Sequence, residues 1–282
     1  MNIPLQHVIR PGIIHCMAFP STGKGEGPIL ETCRQILADD FFEVIEITWI
    51  KDPATRAKVK SMLASAGVEA KHVGQPRLLS QKLDLNSADE AVRQRAIEEI
   101  KRAVDEAAEM GIRDVGLLSG SDVAPAERPA AMDRLENSLV ELCRYAAKSG
   151  CNIVLEVFDR DIDKKCLIGP AAAAREIAER VKRTCPNFGL MVDLSHIPLL
   201  GESPAQALQP VRDPMPTSKI ERIRLGAISI RVLVIRAAPT TCRKLSRSCA
   251  SFLRSVTCGP MAPVAGPCPW RSNQWATKIL PS

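Results

Sequence analysis

The sequence predicts an α/β fold of the (β/α)₈ barrel type, incomplete in this chain because only about six β-α units are recognisable. Up to about residue 211, apolar strand-like runs alternate with helical segments. Each step takes about 35 residues, so eight steps would fill about 280 residues, the usual size of such a barrel. Three glycines, Gly67, Gly111 and Gly150, stand just past helical segments, where a left-handed residue ends a helix. This order predicts a parallel sheet with right-handed crossovers.

The strands are predicted from apolar runs that are too short to be buried helices. They cover residues 12–19, 43–50, 68–73, 114–118, 151–158 and 188–194. The helical segments between them are 27–38, 53–66, 88–110, 130–149 and 170–184. Within 88–110, apolar residues recur every three or four positions among Glu and Arg, which is typical of a helix with one buried face.

Composition indicates a soluble globular protein, with 45% hydrophobic and 25% charged residues. No apolar run approaches the roughly 20 residues of a membrane span, and the N-terminus lacks the apolar region of a signal peptide. We therefore expect a cytoplasmic protein with no membrane partner. Six cysteines of the first part are widely spaced without C-x-x-C, and we expect small buried apolar side chains there: Cys16, Cys33, Cys143, Cys151, Cys166 and Cys185.

Charge divides the chain into two parts near residue 213. Residues 1–213, the predicted barrel domain, hold 27 basic and 31 acidic residues. Residues 214–282 hold 11 Lys and Arg against a single acid, Glu221, and the regular alternation of strand and helix patterns stops there. This basic segment has two interpretations: an arm for nucleic acid, or a stretch that was never selected to fold.

Two carboxylates stand at the ends of predicted strands. Glu156 ends the run Ile-Val-Leu-Glu, and Asp193 ends Leu-Met-Val-Asp, with His196 three residues later. Because α/β proteins place their chemistry at the carboxyl edge of a parallel sheet, we expect these acids to lie at a functional site. The alternative is that each acid only caps the loop or helix that follows it.

The chain resembles the sugar phosphate isomerases and epimerases with a xylose isomerase-like barrel. The resemblance covers residues 10–211 and rests on four segments: GEGPILET (25–32), FFEVIEITWIKDP (41–53), LEVFDRDIDKKCLIGP (155–170) and NFGLMVDLSHIPL (187–199). The pairing of Leu-Glu-Val with Asp-x-x-His one strand later is its most specific part. The resemblance implies a metal-dependent isomerase or epimerase that moves a proton next to the carbonyl of a small sugar or sugar phosphate.

The resemblance also implies roles for individual residues. Glu156 would be both a metal ligand and the catalytic acid/base, Asp193 a second ligand, and His196 a substrate contact. The implied cofactor is a divalent ion, Mn²⁺ or Mg²⁺, with Co²⁺ or Zn²⁺ as alternatives. Arg160 stands at a family position near the sugar hydroxyls, and Asp161, or Asp163 beyond it, takes the place of a substrate-binding acid.

Two further residues, on earlier predicted strands, are candidate substrate contacts. Glu46 resembles the acid of the family's second strand; the alternative is a structural acid at the rim. His15 lies in the first predicted strand, where it can face the substrate from the barrel interior. An interior histidine whose nitrogens are satisfied by hydrogen bonds is the more frequent case.

The second half of the family's site is missing from the sequence. Its seventh strand carries a His-x-His motif and its eighth a catalytic Glu, but no histidine follows His196, and Glu202 and Glu221 end no apolar strand. Residues 215–218, Met-Pro-Thr-Ser, can be encoded so that a one-base offset reads His-Ala-His-Ile. The same offset over 227–239 allows a loop typical of close relatives. We therefore hypothesise a reading-frame shift near Asp213, which gene sequencing tests: early stop codons in the next frame would exclude it.

Other functions remain open at this point. An endonuclease IV-like enzyme shares the barrel, but its metal site needs many histidines and residues 1–213 offer four. A nucleic-acid-binding protein would use the basic segment, with binding that falls steeply with salt. An inactive barrel with open sheet edges is a further alternative. A homo-oligomer is compatible with the sequence.

Overall fold

Six parallel strands form one sheet in the order in which they occur in the chain. The structure is a computed structural model that describes residues 10, 12–193, 196–203 and 205–207. The strands are β1 (Gly12–Ile14), β2 (Val44–Ile47), β3 (Glu69–Val73), β4 (Asp114–Leu118), β5 (Asn152–Val157) and β6 (Phe188–Val192). The helices are α1 (His15–Ala18), α2 (Ile29–Leu37), α3 (Pro53–Ala66), α4 (Gln75–Gln81), α5 (Glu90–Glu109), α6 (Arg128–Ala147), α7 (Ala171–Lys182) and α8 (Ile197–Leu200).

This succession of strands and helices confirms the predicted α/β barrel with six β-α units. Each strand pairs in parallel with the next one in the chain, so every connection is a crossover. The three glycines predicted as left-handed helix ends have φ values of +66°, +76° and +69° at Gly67, Gly111 and Gly150. Two helix starts are capped by carboxylates: Asp52 accepts from the backbone of Ala54 and Thr55, and Asp89 does the same for α5.

The first strand is shorter than predicted. The pattern over 12–19 predicts one strand, but β1 ends at Ile14 and the chain turns into α1 at His15. A 3₁₀ turn follows at Pro20–Thr22, where Pro20 has no N–H to donate to a strand ladder. Three short helices, α1, α4 and α8, are absent from the sequence prediction because four to seven residues make at most two helical turns, too few for an apolar pattern to repeat.

The core lies between the sheet and the helices that cover it. Ile45, Val115 and Ile153 of the sheet are fully buried, as are Leu135 and Ile100 of the helices. The opposite face of the sheet carries polar side chains: Lys71 is hydrogen-bonded to Asp114, which also accepts from Asn152 at 2.8 Å. Asn152 and Glu156 lie four residues apart on β5 and therefore share this face.

The cysteine prediction is confirmed for five of the six residues. Cys33, Cys143, Cys151, Cys166 and Cys185 are buried as free thiols, whereas Cys16 is half-buried. No helix among the described residues is both long and apolar enough to span a membrane. The predicted boundary at residue 213 and the whole basic segment lie outside the described residues.

Candidate metal and catalytic site

Glu156 and Asp193 meet at the carboxyl edge of the sheet. Glu156 lies beside Met191 in the register of β5 and β6, and Val157 lies beside Val192. Asp193 therefore leaves the sheet directly after β6, next to the end of β5. Both carboxylates are buried, with 0% of Glu156 and 3% of Asp193 exposed. Two buried carboxylates side by side are costly unless positive charge or hydrogen bonds compensate them.

His196 completes a group of three potential ligands. It follows Asp193 in a turn in which its backbone N–H donates to the Asp193 carbonyl oxygen at 3.2 Å. Its Nε2 lies 3.9 Å from Asp193 Oδ2, and its ring centroid lies 4.5 Å from that of Phe158. One ligand atom from each of Glu156, Asp193 and His196 lies within 4.8 Å of the other two. Two carboxylates and an imidazole suit a divalent cation such as Mn²⁺, so these residues fit the implied metal.

Gln75 is a neighbour of Glu156 that the sequence analysis did not identify. Its Nε2 donates to Glu156 Oε2 at 2.6 Å, and its side chain is buried. Gln75 begins α4, two residues after β3 ends at Val73. A search for polar residues at every strand end, rather than for acids and histidines, would have identified it.

Asp159 is a second neighbour that the sequence analysis missed. It is fully buried, and its carboxylate accepts three backbone N–H groups from Ile162, Asp163 and Lys164 at 2.9, 2.6 and 3.1 Å. Its Oδ1 lies 3.8 Å from His196 Nδ1. Burial by itself raises the pKa of Asp159, but the three hydrogen bonds and His196 outweigh it and lower the pKa. Asp159 therefore fixes the loop after β5 and faces the outer side of the imidazole.

Comparison with known proteins assigns the chain to a protein family. The sequence profile of the xylose isomerase-like TIM barrel matches residues 35–243. The chain belongs to this family. The match includes Glu156, Asp193 and His196, and it extends past the predicted boundary at residue 213. No curated protein matches the sequence significantly.

Solved structures that resemble this xylose isomerase-like barrel include several sugar epimerases. A D-psicose 3-epimerase from Clostridium cellulolyticum H10, with D-tagatose, is 17% identical, with a TM-score of 0.58 over 72% of this chain and 69% of that one. An L-ribulose 3-epimerase is 22% identical, with a TM-score of 0.56 over 69% and 63%. A D-allulose 3-epimerase from Methylomonas sp. is 20% identical, with a TM-score of 0.55 over 71% and 68%. The chain thus spans about two thirds of their length, and the likeness establishes the fold.

Within this xylose isomerase-like barrel, Arg160 and Asp161 lie on the loop after β5. Arg160 Nη2 donates to the Leu167 carbonyl oxygen at 2.7 Å, and its Nε lies 3.7 Å from Asp122 Oδ1. These contacts close the loop between residues 160 and 167. Asp161 is exposed, as is Asp163, which pairs with Lys164 at 3.0 Å. The structure gives the predicted substrate role of Arg160 and Asp161 no direct support, and it stays a prediction.

His15 is a buried histidine with both ring nitrogens in contact with hydroxyl groups. Its Nε2 lies 2.7 Å from Thr32 Oγ1, and its Nδ1 lies 3.4 Å from Thr22 Oγ1. Burial lowers its pKa to about 4, so the ring is neutral near pH 7. Contrary to the prediction, His15 begins α1 rather than lying within the first strand. These contacts favour the structural interpretation of His15.

Glu46 is buried within β2, where its register neighbours are Ile14 and Lys71. It shares the polar face of the sheet with Lys71. It does not belong to the group of potential metal ligands found among the described residues. Its predicted contact with substrate stays a prediction.

Proposed function

We propose that this chain is a divalent-metal-dependent isomerase or epimerase of a small sugar or sugar derivative. The observation that carries the proposal is the group formed by Glu156, Asp193 and His196 at the carboxyl edge of the sheet. Barrels of this type place their active sites at that edge. The structural neighbours named as 3-epimerases of ketoses support the same class of substrate.

The chemistry is proton transfer at the carbon next to a carbonyl group. Glu156, Asp193 and His196 would hold Mn²⁺ or Mg²⁺, which when bound polarises the carbonyl oxygen and makes the neighbouring C–H more acidic. Glu156 is proposed to take that proton as a carboxylate. In an isomerisation it would return the proton, as a carboxylic acid, to the neighbouring carbon, whereas an epimerisation requires a second acid on the opposite face of the carbon. Glu156 is fully buried at the sheet edge, which shields its carboxyl group from bulk water.

His196 is proposed as the third ligand, although the resemblance alone implies a substrate contact. Its imidazole lies between two carboxylates, with Nε2 facing Asp193 and Nδ1 facing Asp159. A metal-binding imidazole commonly has its second nitrogen held by a carboxylate in this way. Asp159 would thus hold the ring while Nε2 faces the ion.

Binding of Mn²⁺ by the full chain tests the proposal. Asp193→Asn should weaken Mn²⁺ binding, measured by isothermal titration calorimetry, by more than the roughly 10- to 100-fold that loss of an outer-shell partner costs. Asp133→Asn is the matched control, because Asp133 is an exposed partner of Arg180. Equal affinity in Asp193→Asn and wild type would exclude this site. Unchanged affinity in His196→Gln, with a raised KM, would return His196 to the role of a substrate contact.

A shifted reading frame is our proposed explanation for the missing second half of the family's site. Of the later glutamates, Glu202 has a structural role in the described residues: its Oε1 accepts the N–H of Ala171 at the start of α7, at 2.9 Å. Glu221 lies outside the described residues. The family match runs past residue 213 to residue 243, which weighs against the shift. The genomic sequence around codons 205–230 decides whether the reading frame is shifted or not.

The nucleic-acid alternatives depend on the basic segment 214–282, which lies outside the described residues. The described acidic and imidazole groups include one potential metal group, with a single histidine. An endonuclease IV-like site with several metal ions has no support from that group. The isomerase or epimerase remains our proposal.

A further inference from the structure

We propose that Gln75 is a positioning residue that sets the orientation of the Glu156 carboxylate toward the metal. This inference rests on the function proposed above. Gln75 lies on α4, whereas Glu156 lies on β5, so the contact joins two elements that are 81 residues apart in the sequence.

The hydrogen bond between the two side chains is short and shielded from solvent. Gln75 Nε2 donates to Glu156 Oε2 at 2.6 Å, with 6% of Gln75 and 0% of Glu156 exposed. The Oε1 of Gln75 is buried without a hydrogen-bond partner among the described residues. Turning the amide over would place Oε1 against the carboxylate, so Glu156 alone sets the amide orientation.

Two glycines make room for this contact. The N–H of Gly74 donates to the carbonyl oxygen of Gly116 on β4 at 2.7 Å, which anchors the start of α4 to the sheet. A Cβ on Gly74 would lie 2.9 Å from that oxygen, so only glycine allows this approach. A Cβ on Gly116 would lie 3.2 Å from Nε2 and 3.4 Å from Oε1 of Gln75. The Gln75 amide therefore occupies the space that a side chain at position 116 would fill.

The hydrogen bond from Gln75 restricts the orientation of the Glu156 carboxylate. With Oε2 held by the amide, the carboxylate plane is fixed before the metal arrives. A buried donor also stabilises the charged carboxylate, the form that binds a metal. Gln75 would thus act on metal affinity through Glu156 rather than by contact with the metal.

The test is Mn²⁺ affinity of the full chain in three variants, measured by calorimetry and accompanied by thermal unfolding without metal. Gln75→Met keeps the length of the side chain and removes the donor, and should weaken Mn²⁺ binding about 10- to 100-fold. Gly116→Ala changes no polar group and should weaken binding in the same direction but by less. The double variant should bind Mn²⁺ with the same affinity as Gln75→Met alone, because both substitutions act through the same hydrogen bond.

Gln94→Met is the matched control. Gln94 Nε2 also donates to a glutamate, Glu90, at 2.8 Å, but on the exposed face of α5. It should bind Mn²⁺ as tightly as wild type. A purely structural role for Gln75 would lower the unfolding temperature and leave Mn²⁺ affinity unchanged, which would overturn the proposal.

The outcomes separate this inference from the proposed function. If wild type and Gln75→Met bind Mn²⁺ equally while Asp193→Asn does not, the role of Gln75 is wrong and the metal site stands. If the wild-type chain binds no Mn²⁺, both proposals fail. If Gln75→Met does not fold, Gly116→Ala decides, and unchanged affinity in that variant overturns the role of Gln75.

Discussion

Glu156→Gln should lower the rate of solvent-deuterium exchange into a ketose by roughly 10²- to 10⁴-fold, the usual contribution of a general acid/base. The substitution keeps the size of the side chain and an oxygen that can accept from Gln75. It removes the carboxylate that we propose takes the proton. The measurement is NMR detection of deuterium at the carbon next to the carbonyl, with Mn²⁺ supplied to the chain.

The same substitution should leave the fold intact, since a neutral amide is less costly to bury than a carboxylate. Glu98→Gln is the control, because Glu98 is exposed on α5 and pairs with Lys101 at 2.7 Å. Its exchange rate should equal that of wild type. Exchange at the wild-type rate in Glu156→Gln would remove Glu156 from the acid/base role.

Arg77→Met should destabilise the protein by about 3–5 kcal/mol, the usual cost of removing one partner of a buried ion pair. Arg77 is buried on α4, with Nη2 2.6 Å from Glu106 Oε2 and Nη1 3.6 Å from Glu99 Oε2. Its guanidinium carbon also lies 4.9 Å from the centre of the Trp49 ring. Without Arg77, the Glu106 carboxylate would keep His72 as a neighbour at 3.7 Å. It would lose the only permanently charged cation among these contacts, the Arg77 guanidinium.

Urea unfolding at pH 7 measures this loss. Arg175→Met is the control, since Arg175 is exposed and pairs with Glu179 one helical turn away. Pairs of that kind contribute about 0.5 kcal/mol or less. A loss below about 1 kcal/mol in Arg77→Met would contradict the account of this ion pair.

The pH dependence of stability follows from the same cluster. Burial by itself raises the pKa of Glu106, but the neighbouring His72 imidazole and the charge of Arg77 lower it to about 2, against an ordinary value of 4.5. Because the pKa is lower in the folded state, this contribution is present above pH 4.5 and is lost as the pH falls from 4.5 toward 2. The loss of stability over that range should be smaller in Arg77→Met than in wild type.

The sequence predicts the candidate site at the carboxyl edge of the sheet better than it predicts the surroundings of that site. Glu156 and Asp193 are identifiable because each ends an apolar run, and His196 because it follows Asp193 by three residues. Parallel strands bring such strand ends together. Gln75 also follows a strand end, but its contact with Glu156 depends on the space left by Gly116, 41 positions further along the chain. That space depends on how α4 packs against β4, which no local sequence pattern records.

Asp159 and His15 also show that the role of a side chain depends on partners that the sequence does not reveal. Asp159 was missed as a neighbour of the site, whereas His15 was predicted as a substrate contact. In the sequence, Asp159 is one of several acidic residues in a predicted loop. Its three backbone hydrogen bonds depend on the path of the loop between residues 159 and 164. His15 follows an apolar run as the site acids do, yet Thr22 and Thr32 occupy its two nitrogens. Strand-end position therefore brings a residue to the correct edge, whereas its partners decide its role.

The most direct test of the central claim is the metal dependence of proton exchange by the wild-type chain. The chain is freed of metal with EDTA, placed in D₂O with D-tagatose as the ketose, and followed by NMR before and after Mn²⁺ is added. We predict no exchange next to the carbonyl without metal and exchange that begins with Mn²⁺. Absence of exchange in the Mn²⁺-supplied chain, or exchange that is the same with and without Mn²⁺, would contradict the account.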